Sequence, residues 1–225
     1  ADFIVVDNLT DFTVKETYIN GMKVFSDNCS NIHPLPVKVL NNFKREAIQL
    51  EDIIVKSQSR DIRVIVANDG DLYTRVHIAK PVVSEGLLVS DVDNDILKIV
   101  LVNRYNQSKP VVGFVKNIGL KKGALAQSVA HDSHNIIAVG VSDNDILNAV
   151  NLVIQNKGGI VAVCGKDQLV LPLPIAGLMS DLDGKDVSGL YKKLNKKSKE
   201  WGSKLNSPFM TLSFMALLVI PVLKI

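Results

Sequence analysis

Two imidazoles, a carboxylate, a hydroxyl and an amide stand in a row at His131-Asp132-Ser133-His134-Asn135. Imidazole and carboxylate exchange protons near neutral pH or bind borderline metals, and hydroxyl and amide groups orient ligands by hydrogen bonds. The run interrupts apolar sequence, with Val129-Ala130 before it and Ile136-Ile137 after it. Ordinary turns favour Gly, Asn and Asp, so this composition is unusual for a plain connection. His131, Asp132 and His134 are therefore candidate catalytic residues, and Ser133 and Asn135 candidate substrate-binding residues. The same side chains also suit a structural role, holding a tight connection by hydrogen bonds to their own backbone. As a metal site the run is incomplete, because a His-x-x-His pair with one carboxylate lacks a full ligand set.

Several other chemistries are excluded by what the sequence lacks. Gly119-Leu120-Lys121-Lys122-Gly123 has only a superficial likeness to a phosphate loop, and no Gly-x-Ser-x-Gly nucleophile turn occurs. The zinc base-deaminase signature, His-x-Glu with Pro-Cys-x-x-Cys, is absent. Asp91, Asp93 and Asp95 have the spacing of a calcium loop, but Ile96 stands where the loop needs glycine. No calcium is expected there.

The elements that must position the polar run read as α+β, a mixed sheet with a few helices packed on one side. The first residues suggest strands, with Asn20-Gly21 turning one pair into a hairpin. They begin in mid-strand, as if continuing a longer chain. His33-Pro34-Leu35-Pro36 reads as extended, and residues 37–48 as a short helix. Strands are expected at 61–67, 73–83, 96–103, 111–115, 124–130, 136–141, 160–164 and 169–171. Ser142 with Asp145 predicts a capped helix ended by Gly158-Gly159. A second helix is expected over 186–205, its lysines facing solvent. The stretch 208–221 lies between two prolines and is shorter than the ~20 residues a membrane span needs, so it reads as a buried helix. Asp-Asn-Asp-Ile-Leu occurs at both 93–97 and 143–147, a hint of internal duplication.

The chain is 47% hydrophobic and 22% charged, with net charge +3, enough apolar material for a core and too little charge to argue for nucleic acid. Cys29 and Cys164 have no local pairing pattern and are expected reduced, in a cytoplasmic protein without a membrane span.

Five blocks, taken in order, resemble one family: Asn103-Arg104-Tyr105, the stretch from Gly113-Phe114-Val115 to Lys122-Gly123-Ala124, Ser128 through His131-Asp132-Ser133-His134-Asn135, the stretch from Leu171-Pro172-Leu173-Pro174 through Ile175-Ala176-Gly177 to Leu178-Met179-Ser180-Asp181, and the apolar run from Pro208 to Pro221. This is the C-terminal region of bacterial and archaeal adenine deaminases, in the amidohydrolase superfamily, and the resemblance runs the length of the chain. It implies hydrolysis of adenine to hypoxanthine and ammonia by a (β/α)₈ barrel holding manganese or iron, flanked by a small β-sandwich. The His-x-His pair of such a barrel does not occur here, and family members normally continue past Leu223-Lys224-Ile225. The implied organisation is sandwich strands at 1–26, a connector with a short helix at 27–56, and an α+β domain at 57–225. The implied partners are adenine and the chain's own barrel, with no metal bound by this chain and no catalysis by it alone. Two alternatives are a stand-alone purine-binding module and a structural module that forms homo-oligomers through the apolar stretch near the C-terminus.

Overall fold

The computed structural model describes residues 1–33, 38–58 and 60–225, and the chain divides into two compact units, Ala1–Lys38 and Val39–Ile225. Pro34, Leu35 and Pro36, on which the extended reading of that segment rests, lie outside the described residues.

The first unit is a four-stranded antiparallel sheet in sequential order: β1 (Phe3–Val6), β2 (Val14–Ile19), β3 (Met22–Ser26) and β4 (Cys29–Ser30). Its hairpins turn at Asn20-Gly21 and Asp27-Asn28, all four residues at positive φ. Two-residue turns of that hand match the twist of the flanking strands. None of the unit's described residues is buried.

The second unit is a mixed eight-stranded sheet in the order β14-β13-β11-β12-β9-β10-β5-β6. Its strands are β5 (Ile62–Val66), β6 (Arg75–Ala79), β9 (Ile96–Val102), β10 (Val111–Lys116), β11 (Ala124–Gln127), β12 (Ile136–Gly140), β13 (Gly159–Cys164) and β14 (Asp167–Pro172). Among the described residues only the β5–β10 pair is parallel. A separate hairpin joins β7 (Val82–Ser84) to β8 (Leu87–Val89). The single strand expected over 73–83 is thus two, broken at Lys80-Pro81, because proline has no N–H to give a ladder.

Helices lie on both faces of this sheet, not on one as the sequence suggested. Helix α1 (Asp143–Gln155) buries Ile146, Val150 and Val153 with Val100, Ala138 and Val161 of the sheet and with Ile48 and Ile53. On the other face, α2 (Gly184–Glu200) and α3 (Pro208–Phe214) bring Leu194, Phe209 and Leu212 onto Ile99, Leu125, Ile137 and Val139. Coverage on both sides explains why β11 and β12 are buried at every position and lack a polar face. Each fully buried Ile, Leu or Phe contributes roughly 1.5–3 kcal/mol.

The Ser142 cap forms as expected, its Oγ accepting from the Asp145 N–H at 3.2 Å. Other expectations fail for local reasons. Residues 38–48 are irregular and only one 3-10 turn forms, at Leu50–Asp52. There the backbone of 44, 45 and 48 is taken up by the Arg104 carbonyl and the Asn151 side chain instead of a helical ladder. Helix α2 stops before Trp201, and Gly202 follows at φ +115. Helix α3 is half the expected length, and Leu218 and Val219 beyond it are 77% and 73% exposed. No helix among the described residues is long and apolar enough to cross a membrane. The two Asp-Asn-Asp-Ile-Leu copies adopt different structures, a turn leading into β9 and the start of α1, so they are not duplicated units. At the first copy, Asp91 just before it accepts from the backbone N–H of Asn94, and Asp95 within it accepts from that of Gly119. These aspartates brace loops.

Candidate functional site

Strands β11 and β12 end side by side, and the polar run closes the connection between them. Ser128 anchors its start: the buried Oγ donates to the Gly177 carbonyl at 2.6 Å and accepts from the Gly159 N–H at 2.9 Å. His131 is held from outside the loop, its N–H bonded to the Ser213 carbonyl at 3.1 Å and its ring 4.8 Å from that of Phe214. His134 folds the run back, its N–H reaching the Ala130 carbonyl at 2.6 Å from a left-handed backbone at φ +50.

All five candidate residues therefore share one connection. The His131 and His134 rings are tilted neighbours with centroids 5.9 Å apart, both half-buried. Asp132 and Ser133 are exposed. Asn135 joins its neighbours, its Nδ2 donating to Ser133 Oγ at 3.1 Å and its Oδ1 accepting from the Arg104 N–H at 3.3 Å.

Two residues not flagged as site candidates complete the cluster. Arg104 follows the last residues of β9 and is 5% exposed. Its Nη1 donates to the Ala176 carbonyl at 2.6 Å, and its Nη2 to the Tyr105 hydroxyl at 2.9 Å. That hydroxyl donates in turn to the Ser133 carbonyl at 3.0 Å. Gly177, at φ +69, leaves room for the guanidinium, since a β-carbon there would collide with Arg104. The one signal in the sequence was the polar Asn103-Arg104-Tyr105 directly after an apolar strand.

The electrostatics follow from this packing. Burial holds the His134 imidazole below its ordinary pKa, helped by the neighbouring His131 and the Arg104 charge and opposed by Asp132. A ring so placed is neutral near pH 7 and able to accept a proton or a hydrogen bond. Elsewhere, Lys98 is wholly buried on β9 with its Nζ 2.6 Å from Asp143 Oδ1 at the start of α1. The angles make this a charge pairing and not an aligned hydrogen bond.

Among the described residues no three His, Cys, Asp or Glu side chains come together as a metal site. Clefts open on the surface among the described residues, two of them large. One of about 590 Å³ is lined by Lys56, Arg63, Phe114 and Lys224 among others, and one of about 460 Å³ includes Asp95, Lys121 and Lys204. Neither is lined by the polar run, so cleft size and side-chain chemistry point to different places. The side-chain chemistry is the stronger guide, because the clefts gather no comparable set of buried, unpaired polar groups.

Comparison with known proteins agrees with the resemblance. Residues 71–225 match the family model described as the adenine deaminase C-terminal domain. The chain belongs to that family. An adenine deaminase of Methanosarcina barkeri (strain Fusaro) is 48% identical over the whole chain, which covers 42% of that protein. Adenine deaminases of Parabacteroides distasonis and Borreliella burgdorferi are 44% and 41% identical over the whole chain, each covered to 41%. The chain thus spans about two-fifths of the length of these relatives. The family match contains the polar run, Arg104 and Tyr105, whereas the four-stranded unit lies before it.

Proposed function

We propose that this chain is the C-terminal part of an enzyme that hydrolyses adenine to hypoxanthine and ammonia, and that it does not perform the reaction alone. The supporting observation is similarity over the whole chain to proteins named adenine deaminase, of which it covers only about two-fifths. The residues of this chain do not fit the manganese or iron that the resemblance implies, because His131 and His134 find no third ligand among the described residues. The chain's part is accordingly to fold against the metal-bearing portion and to offer polar groups to it. Residues 1–26 belong to the sandwich beside that portion, 27–56 connect, and 57–225 form the C-terminal domain. We place the chain in the cytoplasm, where Cys29 and Cys164 would stay reduced.

Within this reading the polar run meets the purine. A neutral His134 accepts or donates a hydrogen bond at a ring nitrogen, His131 and Asp132 relay the proton, and Ser133 and Asn135 fix the ring's orientation. Incubation of the purified chain with manganese and adenine is expected to release no ammonia, and steady turnover would overturn the reading. In a whole adenine deaminase carrying this domain, His131→Ala and His134→Ala should each lower kcat/KM about 10²-fold or more. Unchanged kinetics in both would leave the run a structural connection.

A further inference from the structure

Arg104 is a buried cation without a counter-ion among the described residues. The residue is only 5% exposed. No Asp or Glu oxygen lies within 4.0 Å of it among the described residues, where four other ion pairs are seen. A buried charge without a partner is costly, and the neutral Ala176 carbonyl and Tyr105 hydroxyl compensate only in part. The unsatisfied atom is Nε, which is buried with no hydrogen-bond partner. Nε and Nη2 share one edge of the guanidinium plane, the edge that takes a carboxylate in fork geometry. Nη2 reaches the Tyr105 hydroxyl, which binds Ser133, so the guanidinium is tied to the polar run. There the Nδ1 atoms of His131 and His134 are also buried without partners. Three unpaired nitrogens thus lie on neighbouring residues, the two rings 5.9 Å apart and the Arg104 charge felt by His134, with exposed Asp132 the one acid in the run.

We propose that Arg104, His131 and His134 form a binding site for a carboxylate-type oxyanion, held at the unpartnered Nε of the guanidinium with the imidazoles closing over it. The occupant is either an acidic side chain of the remaining enzyme or a small free anion, and the chemistry is the same. An anion there would neutralise Arg104 and permit both imidazoles to carry protons and donate. It would therefore couple occupancy of the site to the protonation of the run. The site itself does not depend on the deaminase reading, whereas an acidic side chain as its occupant rests on this chain being part of the larger enzyme.

The test uses the 225-residue chain and sodium acetate against sodium chloride at equal ionic strength, followed by NMR of the imidazole and arginine side-chain nitrogens. Acetate is expected to shift His131, His134 and the Arg104 Nε–H saturably, with half-saturation at about 1–10 mM. Arg104→Lys, which loses the fork, should weaken that response about tenfold. No saturable response in the wild type, an unmoved Arg104 Nε–H, or an unaltered response in a folded Arg104→Lys variant would each overturn the site. The wild-type measurement decides even if the variant does not fold. Repeating the titration on the chain joined to the rest of an adenine deaminase separates the two sources. Loss of the acetate response identifies an acidic side chain of that polypeptide, and persistence identifies a free anion. Since no adenine or turnover is measured, failure here leaves the proposed reaction untouched.

Discussion

The four-stranded sheet of residues 1–38 and the eight-stranded sheet of residues 39–225 draw on the same kinds of residue and differ in what those residues face. Phe3, Ile4, Ile19 and Met22 are 48%, 45%, 41% and 67% exposed, whereas Ile99, Leu125, Ile137 and Val139 are 0% exposed. The first sheet is specified locally, by two tight turns and an antiparallel ladder. The second is specified by helices arriving from distant sequence on both faces. Local geometry is enough to shape a sheet, and burial is what stabilises it.

The sharpest test is a matched pair of truncations. Phe209→Ala removes a ring that is 1% exposed in the core between α3 and the sheet, and should cost about 3–5 kcal/mol in chemical denaturation. Phe3→Ala removes a half-exposed ring whose stacking on Tyr18, centroids 4.5 Å apart, is worth about 1 kcal/mol. Equal losses would break the contrast between the units.

Lys98 comes next, because it sets a charge inside the better-buried unit. Lys98→Met keeps the bulk but leaves Asp143 without its partner, and should cost about 2–3 kcal/mol, less than a fully buried pair because Asp143 is 22% exposed. Adding Asp143→Asn should recover most of the loss. A stability unchanged in the single variant, read from its urea midpoint, would show that the pair contributes nothing.

A smaller effect tests what was readable locally. Ser142→Ala deletes the α1 cap and should cost about 1 kcal/mol by the same measurement. That cap, the Asn20-Gly21 hairpin and the central strands were legible because each depends on neighbours a few residues away. The long helix expected through Ile220 was not, because periodicity shows where a helix is possible and not where tertiary contacts end it; Met215 packs into the core while Leu218 faces solvent. The second helical face was hidden for the opposite reason: strands covered on both sides lose the alternation that would mark them. The polar run of the candidate site stood out by composition. Arg104 did not, since its partner Ala176 is 72 positions away and its meaning lies in a missing counter-ion.

The smallest effect concerns His134 and extends the comparison to pH. The ring's pKa is held below 6.5 in the folded chain, by burial first and then by His131 and Arg104. The unfolded chain therefore binds a proton more readily, and protonation favours unfolding. This residue's contribution to stability is fully present above about pH 6.5 and is lost as the pH falls from there toward the folded-state value. His134→Asn removes the titration and suits the left-handed backbone at this position. Urea midpoints of the two proteins, aligned above pH 6.5, should separate as the medium is acidified through that window, the wild type falling further than the variant. Parallel curves would mean that His134 is as free to charge in the fold as in the unfolded chain, and that the cationic neighbourhood of Arg104 does not reach it.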